Sequence, residues 1–479
     1  MSANNHVDVI IIGAGLSGIG AAYHLQKYCP DRSYHIIEAR ERMGGTWDLF
    51  KYPGIRSDSD MFTLGYSFKP WEDGKAIADG PNILKYIKET AAENKIDQHI
   101  TYNQKVQKVA WSSENATWTV TSSGGHVRTC NFLLACSGYY SYESGYTPDF
   151  KGMKNFKGRI VHPQKWTSDI DYAGKKIIVI GSGATAVTIV PEMAKTAGHV
   201  TMLQRSPTYI SNMPATDKIA NFFRKVLPSK LAYSLSRTKN ILISMLFYNL
   251  CKKYPKTFKK ILMGAAKKTL KEDIDVGVHF NPSYNPWEQR LCAIPDDDLF
   301  LSLNAGTSSM VTDHVDRFTE KGILLQSGKE IEADLIITAT GLKMEFLSNI
   351  EMAIDGKDLP VNELFVYRGM MFSDVPNFTQ FVGYTNASWT LKTDLSSVYV
   401  CRLLNHMKKS GLKSVTPRVE DKNMDTEPIV DFNSGYVLRA LDKLPKQGTK
   451  KPWKLYQNYI KDTISLKYSK LEDGALEFR

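Results

Sequence analysis

The sequence predicts an α/β protein with two Rossmann-like dinucleotide-binding domains and a helical insertion in the second. Three observations predict it. A strand, a Gly-x-Gly-x-x-Gly loop and a helix follow one another near the N-terminus. The same succession recurs from Lys176. Residues 217–275 then change composition, becoming rich in Lys, Leu, Phe and Ala. The length, 479 residues, suits two to three domains of about 100–200 residues each. A chain that is 42% hydrophobic and 23% charged is ordinary globular material, neither disordered nor fibrous.

Residues 7–12 (VDVIII) are nearly all apolar, as a parallel strand covered on both faces requires. Gly13, Gly15 and Gly18 follow, then a helix over Leu16–Tyr28 and a second strand over 33–37. That strand ends at Glu38, 25 residues after Gly13. In such a unit the first glycine permits the tight turn and the second lets backbone N–H groups approach a pyrophosphate. The third lets helix and strand pack closely, and the terminal acid accepts from ribose hydroxyls.

The second unit has a strand over Lys176–Ile180 and a loop Gly181-Ser182-Gly183-Ala184-Thr185-Ala186. A helix over 187–196 and a strand over His199–Gln204 follow. Ala186 takes the third glycine position, an accepted variant. Here the acid is replaced by Arg205-Ser206, with Arg205 24 residues after Gly181. A carboxylate repels a 2′-phosphate, whereas a guanidinium fork and a hydroxyl bind one. The first site is therefore expected to hold FAD and the second NADPH, with hydride passing from nicotinamide to flavin.

Two more segments, 131–138 and 334–341, are apolar strands ending in a small residue and Gly. Both are expected to return the chain to the first sheet. Helical apolar spacing resumes over 394–408, and the helix after Thr390 is expected to aim its N-terminus at the flavin. The expected division follows: 1–145 is the first part of the FAD domain and 146–174 a linker. Residues 175–216 and 276–330 form the NADP domain around the insertion 217–275, and 331–479 complete the FAD domain.

The six cysteines lie far apart, with no metal or redox spacing, which predicts reduced thiols, no metal and a cytoplasmic protein. The opening MSANNHVDVIIIGAG has no basic start or cleavage site, so no signal peptide is expected. With Ser at position 2, no myristoylation is expected. The apolar run 241–251 has 11 residues, short of the roughly 20 that span a bilayer. Disulfide reductases need a cysteine pair beside the flavin, and none occurs near 44–58.

Lys and Arg number 61 against 50 Asp and Glu, a net charge of +11. Residues 218–271 hold 14 Lys/Arg and no acid. Subtracting those 14 from 61 leaves 47 cations against 50 acids, so the remainder is nearly neutral. No nucleic-acid motif accompanies the charge. The segment reads either as peripheral contact with an anionic membrane surface or as a solvated lid packed on the enzyme.

Phe156-x-Gly158-x-x-x-His162-x-x-x-Trp166 precedes the second nucleotide strand. It resembles the fingerprint of type I Baeyer–Villiger monooxygenases; flavin-containing monooxygenases proper carry a similar motif ending in Tyr or Phe. Trp166 is followed by Thr167, where Pro or Asp is usual. Further segments share the resemblance: 44–47 (GGTW), 52–68, 284–292 (YNPWEQRLC), 339–341 and 383–390. In detail they are similar to the bacterial ethionamide-activating (EthA-like) subgroup.

The resemblance implies an FAD-dependent enzyme that uses NADPH and O2 to convert ketones to esters through a C4a-peroxyflavin. Sulfide and thioamide S-oxygenation is implied as a further activity, with small lipophilic compounds as substrates. Arg290 then matches the active-site arginine and Asp58 the carboxylate paired with it. A fixed guanidinium stays charged at any working pH and stabilises an oxygen anion. The resemblance also implies Ser17, Glu38, Thr46, Trp47, Asp48, Asp58 and Val106 around FAD, and Arg56 and Ser57 at the nicotinamide end. His162 reads as a hinge residue coupling the NADP position to the flavin site. Two alternatives stand beside this reading. One is an N- or S-oxygenating monooxygenase with little ketone activity; the other is a non-enzymatic nucleotide-binding redox sensor.

Overall fold

Strand β1 (His6–Ile12) lies between two parallel neighbours, so its residues Val9 to Ile12 have no route to water and are buried. In this computed structural model, residues 5–289, 291–421, 423–429 and 434–479 are described. Helix α1 (Leu16–Tyr28) joins β1 to β2 (Tyr34–Ile37), which pairs onward with β3 (Ile100–Thr101). Between β2 and β3 the chain forms short helices α2 (Thr46–Leu49) and α3 (Met61–Leu64) and the longer α4 (Gly80–Glu93). Asp60 and Asp79 cap α3 and α4 by accepting from backbone N–H groups.

On the other side of β1 runs an antiparallel meander, β4 (Val106–Ser112), β5 (Thr117–Ser122) and β6 (His126–Ala135). β6 pairs in parallel with β1, aligning Leu134 with Ile11, and so returns residues 131–135 to the first sheet as expected. The chain leaves this half through β7 (Tyr140–Gly145).

The second sheet is parallel throughout. It begins with β8 (Arg159–Val161), and the glycine loop and α5 (Ala184–Met193) join β9 (Lys176–Ile180) to β10 (His199–Gln204). A second parallel pair, β11 (Ile210–Met213) with β12 (Cys292–Pro295), forms the base from which residues 218–271 project. These residues are helical: α6 (Lys218–Val226), α7 (Ser229–Lys253) and α8 (Pro255–Thr269), with α9 (Val276–His279) after them. No helix among the described residues is long and apolar enough to cross a membrane. Helix α10 (Asp298–Asn304) leads to β13 (Ser308–Thr312), which pairs with β10, and β14 (Val315–Phe318), β15 (Gly322–Leu325) and β16 (Glu330–Glu332) form a small antiparallel sheet.

Here one expectation fails. β17 (Leu335–Thr338) pairs with β9 and β8, giving the order β13-β10-β9-β17-β8, so it completes the second sheet instead of returning to the first. Its local pattern matches that of β6; the long-range partner decides, and β9 offers a free edge lined with buried Ile177–Ile180. The boundary expected at 331 therefore falls inside the second half, and β8, within the expected linker, also belongs there. The chain returns through β18 (Leu342–Met344), antiparallel to β7. β19 (Glu351–Ile354) and β20 (Lys357–Asp358) then extend the first sheet beyond β4, and a strand over Phe378–Gln380 pairs with β6.

Helix α11 (Trp389–Ser410) packs along α1 and closes the first half. The projecting helices do not stay with the half they spring from. The Tyr233 hydroxyl donates to the Tyr66 carbonyl at 2.9 Å. The Arg237 guanidinium, buried, donates to the carbonyls of Phe62 and Gly65 at 2.8 and 2.7 Å and faces Asp394 at 3.4 Å. α7 is thus keyed into the first half by hydrogen bonds to carbonyls in and just after the short helix α3.

Candidate active site

Between the two sheets lies a cleft of about 850 Å³ that both glycine loops line. Gly15, Ser17, Thr46 and Trp47 form one wall, and Gly181 to Thr185 with Arg205 and Ser206 form the other. Arg56, Ser57 and Asp58 lie between them.

The first wall is built for close approach. Gly13 has φ +102°, in the region that favours glycine, and a Cβ there would sit 2.6 Å from the Cys136 carbonyl oxygen. A Cβ on Gly18 would fall 1.9 Å from the Gly13 oxygen, so helix and strand touch only because it is absent. Gly15 ends the loop with no side-chain cap on α1, which leaves the first helical N–H groups and their positive potential facing the cleft. Behind the loop, buried Glu38 accepts from the backbone N–H of Ala14 at 2.7 Å and of Arg40 at 2.9 Å. Burial pushes its carboxyl above the usual range, the N–H groups opposing. Trp389 Nε1 donates to Ser17 Oγ at 2.8 Å, joining the start of α11 to the start of α1. Tyr140 and Thr46 share a hydroxyl hydrogen bond of 2.6 Å.

Two expected members stand apart from this wall. Asp48 is turned away into ion pairs with Arg40 at 2.8 Å and Arg42 at 3.1 Å. Val106 is buried at the start of β4.

The second wall repeats the design. Gly181 has φ +142°, and a Cβ there would lie 2.3 Å from the Ala339 oxygen. Gly183 starts α5 with no side-chain cap, and a Cβ on it would meet nothing within 4 Å, so the loop opens onto empty space. Ala186 is fully buried behind it. Arg205 and Ser206 are exposed where β10 ends. Among the described residues Arg205 has no ion-pair partner. Two uncapped helix ends, two glycine cradles and a buried acid on one side against a guanidinium on the other fit two bound dinucleotides.

Arg56 bridges the walls through an ion pair with Asp298 at the start of α10. Its Nη2 is buried without a hydrogen-bond partner among the described residues. Ser57 is buried, and its hydroxyl accepts from Ser59 N–H at 3.0 Å. Arg290 lies outside the described residues; Gln289 and Cys292 on either side of it line the cleft.

The fingerprint residues lie behind the cleft, at the crossing between halves. Phe156 is buried against Ile178 and Ile336, and Gly158 sits where a Cβ would meet the Asp334 oxygen at 2.4 Å. Trp166 packs on the core of the second sheet. His162 lies against both crossing strands: a Cβ on Gly145 would lie 1.9 Å from its ring. Its Nδ1 accepts from Gln164 N–H and its Nε2 donates to the Gly341 carbonyl, both at 3.2 Å. Gly341 O also accepts from Tyr146 N–H at 3.0 Å. Burial holds the imidazole below its usual pKa, so a single neutral tautomer fills this place.

Aromatic residues complete the site, and sequence reasoning missed most of them. Tyr139, Tyr384, Trp389 and Tyr436 separate the cleft from a second chamber of about 170 Å³ lined by Met344, Phe346, Val382 and Leu455. Arg439 lies 3.5 Å above the Tyr146 ring. The Tyr139-Tyr140-x-Tyr142 run directly after Gly138 was the available signal.

Two sheets, each sending a glycine loop from a parallel strand to one cleft, define an oxidoreductase that brings two dinucleotides together. The chain matches the family described as FMO-like, flavin-binding monooxygenase-like, over residues 7–410. It is 51% identical to the FAD-containing monooxygenase EthA of Mycolicibacterium smegmatis, over 99% of this chain and 97% of the relative. It is 47% identical to the probable FAD-binding monooxygenase AlmA of an Acinetobacter species, over 98% and 96%. Among solved structures its fold matches a steroid monooxygenase bound to NADP, with TM-score 0.78 at 20% identity over 99% of each chain. It also matches OTEMO in complex with FAD and NADP, with TM-score 0.77 at 22% identity over 99% of each. The chain belongs to the flavin-binding monooxygenase-like family: it is a flavoprotein monooxygenase.

Proposed function

We propose that the protein converts small lipophilic ketones to esters with NADPH and O2, in the Baeyer–Villiger manner, and also oxygenates sulfides and thioamides at sulfur. The observation that carries this reading is the position of Arg56, Ser57 and Asp58 between two glycine loops, with the chain on both sides of Arg290 reaching the same cleft. In balance, ketone, O2, NADPH and a proton give ester, NADP+ and water.

In this reading FAD rests on Gly13, Gly15, Ser17, Gly18, Glu38, Thr46 and Trp47. NADPH rests on Gly181, Ser182, Gly183, Ala184, Thr185 and Ala186, with Arg205 and Ser206 on the 2′-phosphate. The flavin, when bound, would take two electrons from NADPH and pass them to O2. Glu38 would orient the ribose by accepting hydrogen bonds from its hydroxyls. Asp58 holds the Arg290 guanidinium, whose permanent charge stabilises negative charge building on oxygen. The start of α11, at Trp389, directs its positive end toward the cleft. The aromatic wall excludes water and favours an apolar substrate. His162 serves as a positioning residue at the crossing, where it ties Gly341 to the linker.

Contact of residues 218–271 with a membrane surface belongs to the same proposal as a matter of place. A lipophilic substrate partitions into lipid before it reaches the cleft.

The test supplies purified holoenzyme with NADPH, air, one ketone and one thioether. Ester and sulfoxide together are expected. Sulfoxide with intact ketone overturns the ketone assignment and leaves an S-oxygenating monooxygenase.

A further inference from the structure

The two faces of α7 have opposite surroundings. Tyr233, Ser236, Arg237 and Ile241 are buried against the flavin half. Leu231, Leu235, Leu242 and Leu246 are 42–59% exposed. At 100° per residue these four leucines fall within about 60° of one another, and they run for about 22 Å along the helix. α6 adds a matching edge of Ile219, Phe222 and Val226, each more than half exposed. An apolar stripe of this length in open water marks a contact surface.

The charge around the stripe narrows what covers it. Residues 218–271 carry 14 cations and no acid. Arg237 and Lys239 are engaged in ion pairs with Asp394 and Asp217. Lys225, Lys230, Lys252, Lys253, Lys256 and Lys260 stand exposed. A second copy of this face would bring a second acid-free cationic segment against the first, and like charges repel. Anionic lipid meets both demands: headgroups neutralise the lysines, and the boundary with the acyl chains takes the leucines.

We propose that α6 and α7 seat on an anionic bilayer, with the Leu231–Leu235–Leu242–Leu246 stripe in the headgroup–acyl boundary. The inference rests on the reading that residues 218–271 meet a membrane, and adds which face does so and which lipids it selects. The docked face is the one opposite Arg237, so the hydrogen bonds that key α7 beside the cleft are kept on docking.

The test uses holoenzyme with vesicles of phosphatidylcholine alone and of phosphatidylcholine mixed with phosphatidylglycerol. Co-sedimentation with the mixed vesicles at low salt is expected, weakening as salt rises and absent with phosphatidylcholine alone. The double variant Leu242→Ser/Leu246→Ser is expected to lower partitioning about tenfold, with the flavin spectrum and NADPH oxidation in lipid-free buffer unchanged. Leu231→Ser/Leu235→Ser serves as a second pair. No binding of the unmodified protein to mixed vesicles overturns the membrane contact itself. Binding that both double variants retain overturns the stripe and leaves a contact through lysines alone. Lipid-free self-association that the variants abolish overturns the proposal in favour of a second copy. Ester formation in lipid-free buffer reports separately on the chemistry.

Discussion

Arg56 and Asp298, 242 residues apart in sequence, form an ion pair that joins the loop beside the first nucleotide wall to the first residue of α10 in the second half. Asp298 is thereby tied to a guanidinium whose other nitrogen, Nη2, is buried in the cleft region. Asp298→Asn removes the charge that fixes Arg56. A charge-assisted pair of this kind is worth about 1.5–3 kcal/mol. The expected outcome is a rise of about tenfold or more in the NADPH Michaelis constant, with FAD content unchanged by absorbance.

Arg205→Ala tests the 2′-phosphate assignment. Arg205 lines the cleft without a carboxylate partner among the described residues. Losing it is expected to raise the Michaelis constant for NADPH by about a hundredfold, the size of a lost charge-assisted hydrogen-bond pair, and to change that for NADH far less. Steady-state kinetics with both nucleotides decides; equal changes remove the assignment.

Arg290→Ala and Asp58→Ala test the proposed anion-stabilising pair. NADPH is expected to reduce the flavin still, seen as loss of its visible absorbance, while ester formation falls at least a hundredfold. Retained ester formation in Arg290→Ala removes the role given to this guanidinium.

The fold should weaken in mild acid. Burial, with Arg128 and His99 nearby, pushes the His35 imidazole down to about 4 from its ordinary 6.5. Its Nε2 is bonded to the Thr101 hydroxyl at 2.8 Å, next to the strand that carries Glu38. The folded chain therefore holds this histidine neutral where the unfolded chain protonates it. Unfolding takes up a proton in that window, so stability is full above pH 6.5 and declines as pH falls toward 4. Denaturant midpoints measured across this range should show the decline, and His35→Gln should flatten it.

Much of the core was legible because its cause is local. α1, β9 and β10 start and stop where the sequence places them, since apolar runs meet glycine loops there. α5 begins at Ala184, three residues before its expected start, because Gly183 itself is the N-cap. β17 misled because strand-plus-glycine patterns are alike in both sheets, and only pairing with β9 separates them. Asp48, expected around the flavin beside Trp47, is held in ion pairs by Arg40 and Arg42, which lie close in sequence and fold onto it. The Arg56–Asp298 pair and the tie between Trp389 and Ser17 join distant residues, and no local pattern announces either.

Arg237 changes what the projecting helices are. Its guanidinium holds the carbonyls of Phe62 and Gly65, and Tyr233 holds that of Tyr66. Those oxygens belong to the stretch that runs into the flavin wall through Leu64. A detachable cover could be trimmed away or swung open; this one is a keystone. A shortened chain joining Met213 directly to Cys292 would leave three carbonyls and the apolar side of α3 without partners. Shortening the protein is thus expected to fail in the half that the helices do not come from.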